Sequence, residues 1–213
     1  MKKKIPVRSA TGSDLASGIR DTQRRRPRGF WNICPVREEG RFSDMKRVRQ
    51  YIGILAAAAA YYSVHEGAHL LCAVLLGAFK QIRFMGIGMQ IDVYAERMID
   101  GQMALFCVAG ASATLFAGIM LAALAGKISR IKSKLLRAVM YYITIAFLLL
   151  DPLYLSILCG FFGGGDMNGI SLLCPEWAAR SFFAVLLFIN GWIFWKRVLP
   201  VYKGSFSNEA EAV

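Results

Sequence analysis

Four long apolar blocks constrain the fold of this chain more than any other feature. An α-helix needs about 20 apolar residues to cross about 30 Å of hydrocarbon, and each block supplies roughly that number. The composition agrees, since 56% of the 213 residues are hydrophobic and 19% are charged, against about a quarter charged in soluble domains. The sequence therefore predicts an all-α membrane protein with about four transmembrane helices, in residues 51–79, 102–126, 138–162 and 178–199.

The net charge of +12 comes from basic residues that are distributed along the chain as in a membrane protein, and not as in a nucleic-acid-binding surface. Fourteen of the 26 basic residues precede residue 51, five lie within residues 127–137, and three more lie at or after the end of the fourth block. Basic segments stay on the cytoplasmic side. We therefore expect a multi-pass protein of the cell membrane with both termini cytoplasmic, basic segments that contact anionic lipid, and no nucleic-acid partner.

Composition also divides the chain along its length. Residues 1–50 mix basic and acidic side chains with Pro, Gly and Ser, a composition that buries too little apolar surface to fold alone. We predict a basic, disordered cytoplasmic tail over 1–50, a membrane-embedded domain over 51–200, and a short cytoplasmic tail over 201–213. The five cysteines are scattered and form no disulfide framework.

The connection between the first two blocks alternates apolar and polar residues. Residues 80–94 read KQIRFMGIGMQIDVY, with Gly86 and Gly88 in the middle. Alternation around glycines predicts a short β-hairpin between the first and second transmembrane helices, although a surface loop is the competing interpretation. An open strand edge can accept an extended peptide as an added strand.

A cluster of polar residues interrupts the first apolar block. Residues 65–69 read HEGAH, and the chain has only these two histidines. Histidines four apart share one helix face, about 6 Å apart along the axis, so both can bind one ion. The HExxH spacing is typical of zinc sites in which the glutamate is the general base. We therefore predict that His65 and His69 bind Zn²⁺ and that Glu66 is catalytic.

A catalytic zinc site needs a third protein ligand beside an open position for water. Asp166 is the favoured candidate, because two histidines and a carboxylate form a common set and the preceding glycines let the chain bend back. The expected topology puts HEGAH and Asp166 at similar depths near the outer side of the membrane. Asp151, within the third block, and Cys72, three residues after His69, are the alternatives.

These motifs resemble the site-2 protease family of intramembrane zinc metalloproteases. The order carries the resemblance: HEGAH in an early span, a strand-like segment, AGASATLFAG in the next span, and GDMNG near the end of a later one. The resemblance covers about residues 51–170. It implies a zinc site formed by His65, His69 and Asp166, with Glu66 as general base and a membrane-anchored protein or peptide as substrate.

The chain departs from the family pattern at two places. Thr114 stands near the position where the family often has Asn, and no Pro follows Gly110. The aspartate motif reads GDMNG in place of an LDG-type sequence. Either Asp166 is the ligand in a shifted loop, or Asn168 occupies the ligand position and the site is weakened.

Two other classes of function fit the same residues. A non-catalytic metal-binding adaptor, or partner-binding subunit, predicts a closed site of four ligands that recruits Cys72 or Asp151. A carrier would use His65, Glu66 and Asp151 as a relay for protons or metal ions, but the sequence lacks the repeated halves common in transporters.

Overall fold

The computed structural model describes residues 36–85, 88–163 and 165–207, which are mostly helical. The rest of the predicted tails, residues 1–35 and 208–213, lies outside the described residues. In chain order the elements are α1 (Val36–Leu75), β1 (Phe79–Met85), β2 (Gly88–Val93), a 3₁₀ turn (Ala95–Arg97), α2 (Asp100–Ile128), α3 (Lys134–Leu153), a π-helical turn (Tyr154–Leu158), α4 (Cys159–Phe162), α5 (Gly165–Ile170), α6 (Glu176–Ile193), a second π-helical turn (Phe194–Val198) and α7 (Leu199–Ser207).

Helix α1 is a continuous run of 40 residues. Residues 36–50, which composition assigns to the tail, are helical and lead directly into the first apolar block. The helix ends where Gly77 adopts a φ of +65°, a conformation that glycine tolerates without steric cost. There the N–H of Ala78 donates to the carbonyl of Ala73 at 2.9 Å. This turn directs the chain into β1.

Three helical segments of the described residues are long and apolar enough to cross a membrane: Asp100–Ile128, Lys134–Phe161 and Glu176–Phe206. They correspond to the second, third and fourth predicted spans. The first predicted span is not among them, because the two histidines and the glutamate of HEGAH lower the mean hydropathy of α1. Large apolar side chains point outward from all three segments, among them Phe116, Leu150 and Phe188, as expected of helices that contact lipid.

The described part of the chain contains an antiparallel β-hairpin between α1 and α2. Ile82 pairs with Ile91 and Phe84 with Met89. Ile91 is buried against Ala73, Phe106 and Cys107, which come from α1 and α2. The hairpin is thus attached to both helices through the apolar face of β2, while Ile82 and Phe84 on β1 are exposed.

Asp92 organises the polar side of the hairpin. The side chain of Gln81 donates to its carboxylate at 2.9 Å, and the guanidinium of Arg83 lies 2.7 Å from the same oxygen. The hydrogen bond from Gln81 and the charge of Arg83 lower the pKa of Asp92. Both partners lie on β1, so this exposed cluster adds a polar cross-strand contact to the apolar pairs.

Small residues set the close approach of α2 and α3. A Cβ atom at Gly118 would lie 3.0 Å from the backbone carbon of Phe147 and 3.1 Å from the nitrogen of Leu148. Backbone atoms cannot move away as a flexible side chain can. The small-residue run in the second block is therefore a packing face for α3 in this region, as is common in membrane helices.

The side chain of Asn190 replaces a backbone hydrogen bond that Pro152 removes from α3. Pro152 has no N–H, so within α3 the carbonyl of Leu148, four residues earlier, loses its helical donor. The side-chain amide of Asn190, on α6, donates to that carbonyl at 2.9 Å. Asn190 is buried, and this hydrogen bond explains how a strongly polar side chain is accommodated in α6.

Replacing Gly118 with Leu tests the α2–α3 contact. We expect Gly118→Leu to destabilise the fold by about 1–3 kcal/mol, the usual range for overpacking, because the new side chain meets backbone. Thermal unfolding in detergent measures the effect. Gly126→Leu is the matched control, since Gly126 lies on the same helix with no atom within 4 Å of its would-be Cβ. Equal melting temperatures for the two variants would contradict the packing role.

Candidate metal centre

His65 and His69 stand one turn apart on the buried face of α1. Their relative exposures are 9% and 4%, and their ring centroids are 4.8 Å apart. The two Nε2 atoms lie 3.2 Å from each other. A pair of imidazole nitrogens this close can hold one cation between them, as the i, i+4 spacing predicts.

Asp166 joins the two histidines from a distant part of the chain. Its carboxylate oxygens lie 3.3 Å from His65 Nε2 and 3.6 Å from His69 Nε2. Each of the three residues offers one ligand atom, and these three atoms all lie within 4.8 Å of one another. Two imidazoles and a carboxylate form a common ligand set of catalytic zinc sites.

Glycines bring Asp166 to this position. Gly163 adopts a φ of +93°, which side chains rarely tolerate, and it allows the chain to turn from α4 into α5. Gly169 then lets α5 lie directly on α2, because a Cβ atom there would collide with the side chain of Cys107. The predicted bend back into the bundle is therefore present and is fixed by helix packing.

The Asp166 carboxylate is suited to bind a cation. Burial alone would raise its pKa, but the imidazoles of His65 and His69 lower the pKa to about 2. The side chain is 21% exposed, so it is largely withdrawn from solvent. A carboxylate that stays ionised beside two ring nitrogens offers a negative charge to a cation at neutral pH.

The Nδ1 atom of each imidazole, which points away from the shared cluster, lies close to an oxygen atom. His69 Nδ1 lies 2.8 Å from the backbone carbonyl of Phe106 on α2, and His65 Nδ1 lies 3.1 Å from Asp151 Oδ1 on α3. A carbonyl only accepts, so His69 carries its proton on Nδ1 and leaves the Nε2 lone pair directed at the cluster. Metal-binding histidines usually have such a partner, which fixes their tautomer and orientation.

Gly110 forms the wall of the cluster on α2. A Cβ atom at this position would lie 2.5 Å from His69 Nε2 and 2.7 Å from His65 Nε2. In the sequence Gly110 belongs to the AGASATLFAG segment, which does not indicate that this glycine lies over the two ring nitrogens. The space in front of the histidines thus depends on the absence of a side chain here.

Glu66 is half-buried beside the cluster. It makes no hydrogen bond or ion pair with another side chain within the described ranges, and its electrostatic neighbours are His69, His65 and Asp166. The carboxylate is thus near the histidines and not committed to a structural partner. A carboxylate without a structural partner is available to accept a proton.

The other predicted ligand candidates lie elsewhere. Among the described residues the group that can hold one metal ion contains neither Asp151 nor Cys72. Asn168 is exposed on α5, whereas Asp166 on the same helix reaches the histidines. Thr114 donates its hydroxyl to Asp151, so the residue near the family's Asn position contacts the carboxylate behind His65.

Comparison with known proteins adds no relative. No family model, curated protein or solved structure matches the chain.

Replacing Gly110 with Ala tests the wall of the cluster. We expect Gly110→Ala to weaken zinc binding by about 10–100-fold, the range seen when support around metal ligands is lost, because its methyl group displaces both rings. Competition with a chromophoric chelator measures the affinity. Gly101→Ala, on the same helix with open space around its would-be Cβ, is the control. Unchanged affinity in Gly110→Ala would refute the assignment of this wall.

Proposed function

We propose that the protein is a zinc-dependent intramembrane endopeptidase that cleaves a peptide bond in or near a transmembrane segment of its substrate. The observation that carries the proposal is the approach of Asp166 to His65 and His69, across about 100 residues of sequence. The proposal joins this geometry to the motif order that resembles the site-2 protease family. Zn²⁺ is the proposed cofactor, because two imidazoles and a carboxylate suit it.

A catalytic site is favoured over a closed structural one. A structural zinc site is almost always four-coordinate through protein ligands, and no fourth His, Cys, Asp or Glu joins the cluster within the described residues. Asp151 faces the Nδ1 side of His65, away from the shared Nε2 side. This leaves the adaptor hypothesis without the extra ligand that it needs.

The residues of the cluster and its surroundings have different proposed roles in hydrolysis. His65, His69 and Asp166 would hold the cation, which when bound polarises a carbonyl and lowers the pKa of a water molecule. Glu66 accepts the proton of the attacking water and passes it to the leaving amine. Packing of α2 and α5 around the histidines keeps bulk water out, which strengthens the electrostatic interactions within the site.

The substrate would be a membrane-anchored protein or peptide. A helical substrate hides its carbonyls in internal hydrogen bonds, so it must unwind before attack. The β-hairpin lies next to the site in the chain, and its β2 strand packs on Phe106, whose carbonyl contacts His69. An open hairpin edge can hold the unwound segment as an added strand, close to the catalytic residues.

Helix α1 is proposed to be the first of four spans. Its two histidines face the bundle, where Asp166, Asp151 and the Phe106 carbonyl contact them, so its low hydropathy does not prevent it from lying in the membrane. With four spans the basic segments all fall on the cytoplasmic side, next to anionic lipid. The proposed location is the cell membrane, with both termini cytoplasmic.

Replacing Glu66 with Gln separates catalysis from metal binding. The amide cannot accept a proton, so we expect cleavage of membrane-anchored peptides to fall by about 10²–10⁴-fold, with zinc content near that of the unmodified protein. Purified protein in detergent, assayed for zinc and for cleavage products, provides both readouts. Glu96→Gln, in the exposed 3₁₀ turn, should cleave normally.

Two results would reject the endopeptidase. Undiminished cleavage by Glu66→Gln would eliminate Glu66 as the base. Cleavage that survives complete removal of zinc by a chelator would eliminate metal-dependent hydrolysis, whereas the proposal predicts loss on removal and recovery on addition of zinc.

Reporter fusions test the number of spans. Alkaline phosphatase is active outside the cytoplasm and green fluorescent protein fluoresces inside it. We expect phosphatase activity from fusions after residues 98 and 172, and fluorescence from fusions after residues 131 and 207, because four spans return the chain to the cytoplasm. Fluorescence from the fusion after residue 98 would show that α1 does not cross the membrane.

A further inference from the structure

Asp151 is a carboxylate placed deep in the bundle. It lies on α3 with a relative exposure of 0%. Within the described residues no Lys or Arg side chain forms an ion pair with it. An isolated buried carboxylate is costly unless hydrogen bonds or a charge compensate, so its surroundings indicate why it is there.

Two hydroxyls and one imidazole nitrogen, from two other helices, surround the Asp151 carboxylate. The hydroxyl of Tyr61, on α1, donates to Oδ1 at 2.6 Å. The hydroxyl of Thr114, on α2, donates to Oδ2. His65 Nδ1 lies 3.1 Å from Oδ1. An ionised carboxylate only accepts hydrogen bonds, and each of these neighbours can supply a proton.

We infer that Asp151 is a positioning residue that orients His65 for metal binding. The 3.1 Å approach to this acceptor favours a proton on His65 Nδ1, which leaves the Nε2 lone pair of the neutral ring for a cation shared with His69 and Asp166. Tyr61 restricts the ring further, because it stacks on His65 with centroids 5.3 Å apart and planes at 26°. This inference rests on the proposed metal site and adds the role of a residue outside the ligand set.

The two histidines are thus held by different means. A backbone carbonyl of α2 faces His69, and no substitution can remove it without disturbing the helix. A side-chain carboxylate faces His65, with two hydroxyls that hold the carboxylate in place. Side-chain changes can therefore adjust the binding of His65, and Thr114 and Tyr61 act on it through Asp151.

Metal affinity distinguishes positioning from simple packing. Asp151→Asn keeps the size of the side chain but removes the charge and one acceptor. We expect it to weaken zinc binding by about 10–100-fold, and Tyr61→Phe and Thr114→Val to weaken it by a smaller factor. Thr144→Val is the matched control, since Thr144 is also buried and its hydroxyl donates to the carbonyl of Met140 on its own helix and not to Asp151.

Cobalt provides a second readout that packing alone does not change. We expect the visible absorption of the Co²⁺-loaded protein to shift in Asp151→Asn and to stay unchanged in Thr144→Val. Should Asp151→Asn prove unstable, Tyr61→Phe answers the same question, because it removes one hydrogen bond to Asp151 and keeps the aromatic ring that stacks on His65.

The outcomes separate this inference from the proposed function. Zinc affinity of Asp151→Asn within twofold of the unmodified protein, with an unchanged cobalt spectrum, would overturn the positioning role and leave the endopeptidase standing. Tight zinc binding without proteolysis, and weakened binding in Asp151→Asn, would overturn the endopeptidase and support the positioning role. An unmodified protein that binds no zinc would overturn both.

Discussion

Compensation of buried polar groups is the constraint on which the rest of the structure depends. Imidazoles and carboxylates placed among apolar helices cost several kcal/mol each unless other groups pair with them. Here His65 and His69 face Asp166 on one side, while Asp151 and the Phe106 carbonyl face their outer nitrogens. Helices α1, α2, α3 and α5 each contribute to this network, so the arrangement of the bundle and the arrangement of the polar groups depend on each other.

Glycines determine how closely the helices carrying these groups can approach. Gly118 brings α2 against the backbone of α3, Gly169 brings α5 against α2, and Gly110 leaves room for the ring nitrogens. Residues that look alike in sequence therefore serve different purposes. Two of them set helix distances, and the third preserves the space in which the ring nitrogens of His65 and His69 meet Asp166.

The sequence predicted the helical character, the hairpin and the proximity of Asp166 to the histidines, because each depends on a local pattern or on a distinctive residue type. The sequence did not predict the partner of His65, because Asp151 is equally compatible with the role of a metal ligand, a relay residue or one member of a buried ion pair. The approach of Gly110 to the rings depends on the rotation of α2 about its axis, which a uniform run of small residues leaves undetermined. The first predicted span differs from the other three, since HEGAH places polar residues within its apolar length.

The π-helical turn that follows Pro152 has a consequence for the evolution of the chain. Such a turn holds one more residue than a regular helical turn, so the loss of one residue from it restores a regular turn without changing the phase of the helix on either side. The two carboxylates that face His65 lie on opposite sides of this turn. Tyr154–Leu158 is thus the segment between Asp151 and Asp166 in which a single-codon deletion disturbs the helix least.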